Sequence, residues 1–170
     1  MWRDDIRNRR TARLRDFDYS SPGIYFITFR IARRAPLLAE IDDGCVQLTI
    51  AGRTVARAWR AVLAQRPDVR MLAGVIMPDH VHVLLEIPPT DEPRKSICRV
   101  IGAVKTYSAA RINRARKPPV GRIWQRSFYD RVIRTPFELE QCRAYIANNP
   151  QRWSATHHDA SPRPGRLDSR

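Results

Sequence analysis

The chain has 170 residues, enough for one domain with a buried core, and 43% hydrophobic content argues against wholesale disorder. Its 31 Lys and Arg outnumber 17 Asp and Glu, a formal charge of +14 that points to a polyanionic partner, nucleic acid first. No apolar run approaches the roughly 18 residues of a membrane span, and three scattered cysteines (Cys45, Cys98, Cys142) without a CxxC suggest neither a disulfide framework nor a zinc-thiolate site.

Residues 1–20 are polar and basic and end in the turn-like "DYSSPG", a basic N-terminal arm. "IYFITFRI" (24–31) follows, rich in β-branched and aromatic residues, and is expected to be a strand. A short strand "CVQLTI" (45–50) precedes a helix over about 52–65, where Val55, Ala58, Trp59, Val62 and Leu63 recur at spacings of three and four. "VRMLAGVIMP" (69–78) and "HVHVLLEI" (80–87) are two further strands. A long helix spans 94–117, with Ile97, Ile101, Val104, Ser108 and Ile112 on one stripe and Lys95, Arg99, Asn113 and Lys117 opposite. "RIWQRSFYDRVI" (122–133) has the composition of a strand. The last helix starts with Thr135 as N-cap, Pro136 at the first helical position and Glu138 completing a capping box, and Pro150 is expected to stop it. Beyond Trp153 no apolar periodicity remains, so 154–170 is expected to be a flexible tail.

This order is that of an α+β, ferredoxin-like βαββαβ antiparallel sheet, with helices on one face and a C-terminal helix added. It gives an arm over 1–20, a single catalytic domain over 21–153 and the tail.

Two histidines interrupt the strand at 80–87. Residues i and i+2 of a strand point to one face, so His80 and His82 project side by side while Val81 and Val83 face the core. Two such imidazoles suit a shared divalent metal, although an HxH pair alone is also compatible with plain hydrogen bonding. His157 and His158 lie in the tail and are expected to be solvated bystanders. On the last helix Tyr145 and Asn149 are four apart and share a face. They supply a phenol able to act as nucleophile and an amide oxygen suited to a hard cation. The bland alternative is a tyrosine at a core edge and an asparagine ending a helix before Pro150.

"MPDHVHVLLE", "IWQRSFYDRVIR" and "CRAYIANNPQRW", in that order, resemble the single-tyrosine transposases of the HUH endonuclease superfamily, and more closely the REP-associated tyrosine transposases. "DYSSPGIYFITFR" and "GCVQLTIAGRTVARAW" extend the resemblance upstream, so that it covers about residues 9–153. The resemblance implies that His80, His82 and Asn149 are metal ligands for Mg²⁺ or Mn²⁺ and that Tyr145 is the nucleophile. Insertion-sequence members more often carry Gln where this chain has Asn149, and both supply an amide oxygen. It further implies cleavage and rejoining of single-stranded DNA near hairpins through a 5′-phosphotyrosine. Three residues are weaker candidates for contacting DNA: Lys105 and Arg126 through phosphate, and Trp124 by stacking a base. Tyr107 and Tyr129 are rival nucleophiles. The expected setting is the bacterial cytoplasm at the nucleoid, with no membrane partner and with monomer and homodimer both open. The competing function is a domesticated protein of the same fold that binds DNA or RNA hairpins without transposing.

Overall fold

The computed structural model describes residues 17–33, 35–90, 96–119 and 121–157. Residues 1–16 of the expected arm and 158–170 of the expected tail, with His158 and Lys95, lie outside the described residues, whereas Tyr19 is a buried core residue.

The elements in chain order are β1 (Gly23–Arg30), β2 (Ala39–Asp42), β3 (Cys45–Leu48), α1 (Ile50–Ala64), β4 (Arg70–Ile76), β5 (His80–Ile87), α2 (Ile97–Ala115), β6 (Tyr129–Ile133) and α3 (Pro136–His157). β4, β5, β1 and β6 form one sheet in that spatial order, with every neighbouring pair antiparallel. This is the expected α+β ferredoxin-like arrangement, because β5 lies between β1 and β4, the two strands joined through α1. β2 and β3 pair separately as a hairpin inserted between β1 and α1.

The alternation of side chains along β1 and β5 builds two cores. Tyr25, Ile27 and Phe29 of β1, with Val81, Val83 and Leu85 of β5, point to the face covered by α1 and α2 and pack with Val55, Trp59, Ile97, Ile101 and Val104. Phe26 and Leu84, which are opposite each other in register, point to the other face with Ile133 and are covered by Cys142 and Ile146 of α3. Each such aliphatic or aromatic side chain contributes roughly 1.5–3 kcal/mol on burial, so α3 is a structural layer as well as a carrier of site residues.

Several local expectations are revised. The segment 122–133 is strand only over Tyr129–Ile133, and Trp124 makes an isolated bridge to Ile31. Thr49, expected to end a strand, caps α1 through its hydroxyl, which accepts from the Gly52 N–H at 3.1 Å. Pro150 does not end α3, which runs on to His157. A proline removes one helical hydrogen bond and strains the preceding turn. The turns beyond it are instead held from outside, by Trp153 against His80 and by a hydrogen bond from the Gly44 N–H to Ser154 Oγ. Residues 154–157 are therefore helix.

Candidate active site

β5 supplies His80 and His82 to the face beneath α3, and both are buried at 5% and 2% exposure. Register explains their immediate neighbours: Thr28 of β1 stands opposite His82, and Arg30 stands opposite His80. The Thr28 hydroxyl and His82 Nδ1 share a hydrogen bond of 2.7 Å, while His80 Nδ1 is hydrogen-bonded to the Asp79 carboxylate. Arg30 Nη1 reaches the other Asp79 oxygen at 3.4 Å.

These partners orient the rings. A carboxylate only accepts, so the proton of a neutral His80 resides on Nδ1 and its Nε2 carries a lone pair. The Thr28 hydroxyl can accept from or donate to His82 Nδ1, and only when it accepts is the second Nε2 also a bare acceptor. The two Nε2 atoms are 3.0 Å apart. In one tautomer a single proton is shared between them as a hydrogen bond; in the other both lone pairs face the same point, an arrangement suited to a divalent metal. Burial holds the His82 imidazole well below its ordinary value, with His80 and Arg30 adding to the effect, which keeps it in the neutral form a metal requires. Burial alone would raise the Asp79 carboxyl, but the hydrogen bond and charge of His80, with Arg30, outweigh it and leave the group below its ordinary value.

α3 lies across this pair. The Tyr145 ring meets the His82 ring edge-on with centroids 5.2 Å apart and also abuts Phe26 at 5.8 Å. Two helical turns later the Trp153 ring is 6.0 Å from His80. Asn149 falls between Tyr145 and Trp153 on the same helical stripe, and it is 8% exposed. Among the described residues no three His, Cys, Asp or Glu side chains come together as a metal set. A third protein ligand, were a metal held here, would be of another donor type, and the amide of Asn149 is buried on the same helix stripe as Tyr145. Arg152 stands 5.8 Å from the Tyr145 ring centroid, bringing a guanidinium to the edge of the site.

His80, His82 and Tyr145 thus meet within one chain, with Asn149 buried on the stripe that carries Tyr145, while Trp124 and Lys105 are engaged elsewhere. Trp124 is 5% exposed, packs edge-on against Phe29 beneath α2 and donates its indole N–H to Ser108 Oγ at 3.0 Å. Lys105 Nζ donates to the backbone carbonyls of Gln125, Arg126 and Ser127 at 2.6, 3.2 and 3.1 Å. Arg126 is exposed. Of the rival tyrosines, Tyr107 lies on α2 with Arg111 over its ring, remote from the histidine face. Tyr129 pairs with Thr28 and so shares the histidine face, two strands from His82. His157 ends α3. Sequence reasoning missed Thr28, Asp79, Arg30 and Trp153. Asp79 was signalled by adjacency to His80, whereas Thr28 and Arg30 enter only through register.

The Transposase IS200 like family matches residues 50–149. An uncharacterized protein of Haemophilus influenzae is 32% identical over 164 residues, spanning 87% of this chain and 91% of that protein. The fold is similar to that of a REP-associated tyrosine transposase bound to a REP hairpin, with a TM-score of 0.64 at 22% identity, covering 84% of this chain and 74% of that one. A candidate transposase of Deinococcus radiodurans R1 superposes with a TM-score of 0.50 at 20% identity, over 80% of this chain and 95% of the other. Histidine pair, helix-borne tyrosine, sheet order and family match agree, and the chain belongs to the IS200-like transposase family.

Proposed function

We propose that the protein is a single-tyrosine transposase of the HUH type, cleaving and rejoining single-stranded DNA beside a hairpin through a 5′-phosphotyrosine link. The observation that carries this reading is the contact of Tyr145, which shares a stripe of α3 with Asn149, with the paired imidazoles of His80 and His82. Hairpin DNA as partner is supported by the structural neighbour that holds a REP hairpin.

His80 Nε2, His82 Nε2 and the Asn149 amide oxygen would hold Mg²⁺ or Mn²⁺. Bound there, the ion supplies Lewis-acid polarisation of the scissile phosphate and offsets charge in the transition state. Asp79 and Thr28 keep both imidazoles turned toward the ion. Tyr145 Oη attacks phosphorus as its proton passes to water, and the 3′-oxygen departs and takes up a proton from water. One phosphodiester replaces another, so the bond energy is retained for rejoining. A phenol of pKa about 10 leaves more readily than an alkyl alcohol, so a returning 3′-hydroxyl displaces it. Arg152 and Arg30 bring positive charge to the rim where a DNA backbone enters. Arg126 is the exposed member of the remaining candidates and contacts backbone phosphate. Trp124 and Lys105 act on DNA indirectly, by anchoring the segment that carries Arg126 to α2.

The test uses end-labelled single-stranded hairpins from DNA flanking the gene, with Mg²⁺ or EDTA, resolved on a denaturing protein gel. A covalent adduct that needs the metal and disappears in Tyr145→Phe is the expected result. Persistence of the adduct in that variant transfers the nucleophile to Tyr129, which shares the histidine face. Tight binding with no adduct from any flanking hairpin overturns the enzymatic reading.

A further inference from the structure

The β2–β3 hairpin belongs to neither face of the main sheet, and its turn reaches the far end of α3. Asp43 and Gly44 have φ of 44° and 73°, the left-handed pair of a tight two-residue turn, closed by the Asp42–Cys45 pairing. The Gly44 N–H donates to Ser154 Oγ at 3.2 Å. A Cβ at residue 44 would lie 2.8 Å from Gln151 Cγ, so the turn approaches the helix as closely as a glycine permits. Meanwhile Pro150 has no N–H to give the Ile146 carbonyl, which weakens α3 immediately after Asn149. The helix is thus softest beside its site residues and is gripped from outside one turn later.

We propose that the Asp43–Gly44 turn is a clasp on α3, and that Gly44 and Ser154 are positioning residues setting where Tyr145 and Asn149 stand relative to the histidine pair. The catalytic consequence rests on the function proposed above; the grip itself does not. Trp153, seated between Gln151 and Ser154 in sequence, transmits the grip to His80 by ring contact. A clasp of this kind holds the tyrosine helix on the histidines of its own chain.

The experiment is a double-mutant cycle with two readouts. Gly44→Ala drives a methyl into Gln151 Cγ and is expected to slow adduct formation about tenfold, as ångström-scale misplacement of a reacting group does, with hairpin affinity unchanged. Gln151→Ala alone is expected to be neutral. The double variant recovers most of the rate, because the Gln151 Cβ is 3.7 Å from the new methyl, an ordinary contact, and only the strain of alanine at a positive φ remains. If the double variant remains as slow as Gly44→Ala, the defect is backbone strain at φ 73° and the clasp is overturned. Amide hydrogen exchange over 145–157 reads the same cycle without activity: faster in Gly44→Ala, restored in the double variant. Unchanged exchange in Gly44→Ala overturns the clasp. A wild-type chain that forms no adduct but shows the exchange pattern overturns the proposed function and leaves the clasp standing.

Discussion

His82 owes its orientation to a residue 54 positions earlier, the Thr28 hydroxyl across the β1–β5 ladder. That His80 and His82 share one strand face, and Tyr145 and Asn149 one helix face, was legible in the sequence because spacings of two in a strand and four in a helix dictate it. The Thr28 contact was not, since it depends on which residue of β1 falls opposite His82, and register is set by the whole sheet. Composition also left Trp124 and Lys105 undecided. A tryptophan and a lysine in an aromatic, basic segment suit a core or a DNA surface equally, and here Ser108 and three carbonyls claim their donors. Thr28→Val keeps the shape of the side chain and removes the hydrogen bond to Nδ1. It is expected to lower Mn²⁺ affinity about 10–100-fold, measured by electron paramagnetic resonance of the free ion, with circular dichroism unchanged.

At the scale of elements, α3 had a legible beginning and a misleading end. The Thr135 hydroxyl accepts from the Glu138 N–H at 3.1 Å, as the capping signature implies, but the Glu138 carboxylate reaches the Arg134 N–H at 2.8 Å and also holds Arg131. The Arg134 N–H first, and then Arg131, keep the Glu138 carboxyl below its ordinary 4.5. Its contribution to stability is therefore complete above pH 4.5 and is lost as the pH falls through the lower folded value. Glu138→Gln is expected to lower the melting temperature at pH 7 and to flatten its decline below pH 4.5, checked by calorimetry across that range. The end of α3 was misjudged because Pro150 argues locally for a stop while the hairpin and Trp153 hold the helix from a distance. The pair Asp43-Gly44 was the readable sign of that hairpin, and β2 follows from it as the partner of β3.

Across the whole molecule, charge decides how the protein meets its partner. A formal +14 makes association with DNA a matter of displaced counterions, so the binding constant is expected to fall steeply and linearly on a log–log plot against salt. Arg126→Ala is expected to reduce that slope by about 1, measured by fluorescence anisotropy with a labelled hairpin. Thiols give a second global readout. Burial pushes the Cys142 thiol, beneath α3, up to about 11, whereas Cys45 is exposed at the hairpin. Alkylation at pH 8 is expected to label Cys45 promptly and Cys142 only when α3 lifts, as followed by mass spectrometry.

The second core, shared between the sheet and α3, bears on biosynthesis. Phe26, Leu84 and Ile133 are made before the helix that covers them, so a nascent chain emerging through β6 carries an unshielded oily face and an incomplete centre. A premature stop in the loop before Pro136 would leave that face bare. Such a fragment is prone to aggregate or to be degraded. Solubility and strand cleavage are thereby acquired together, in one translational step.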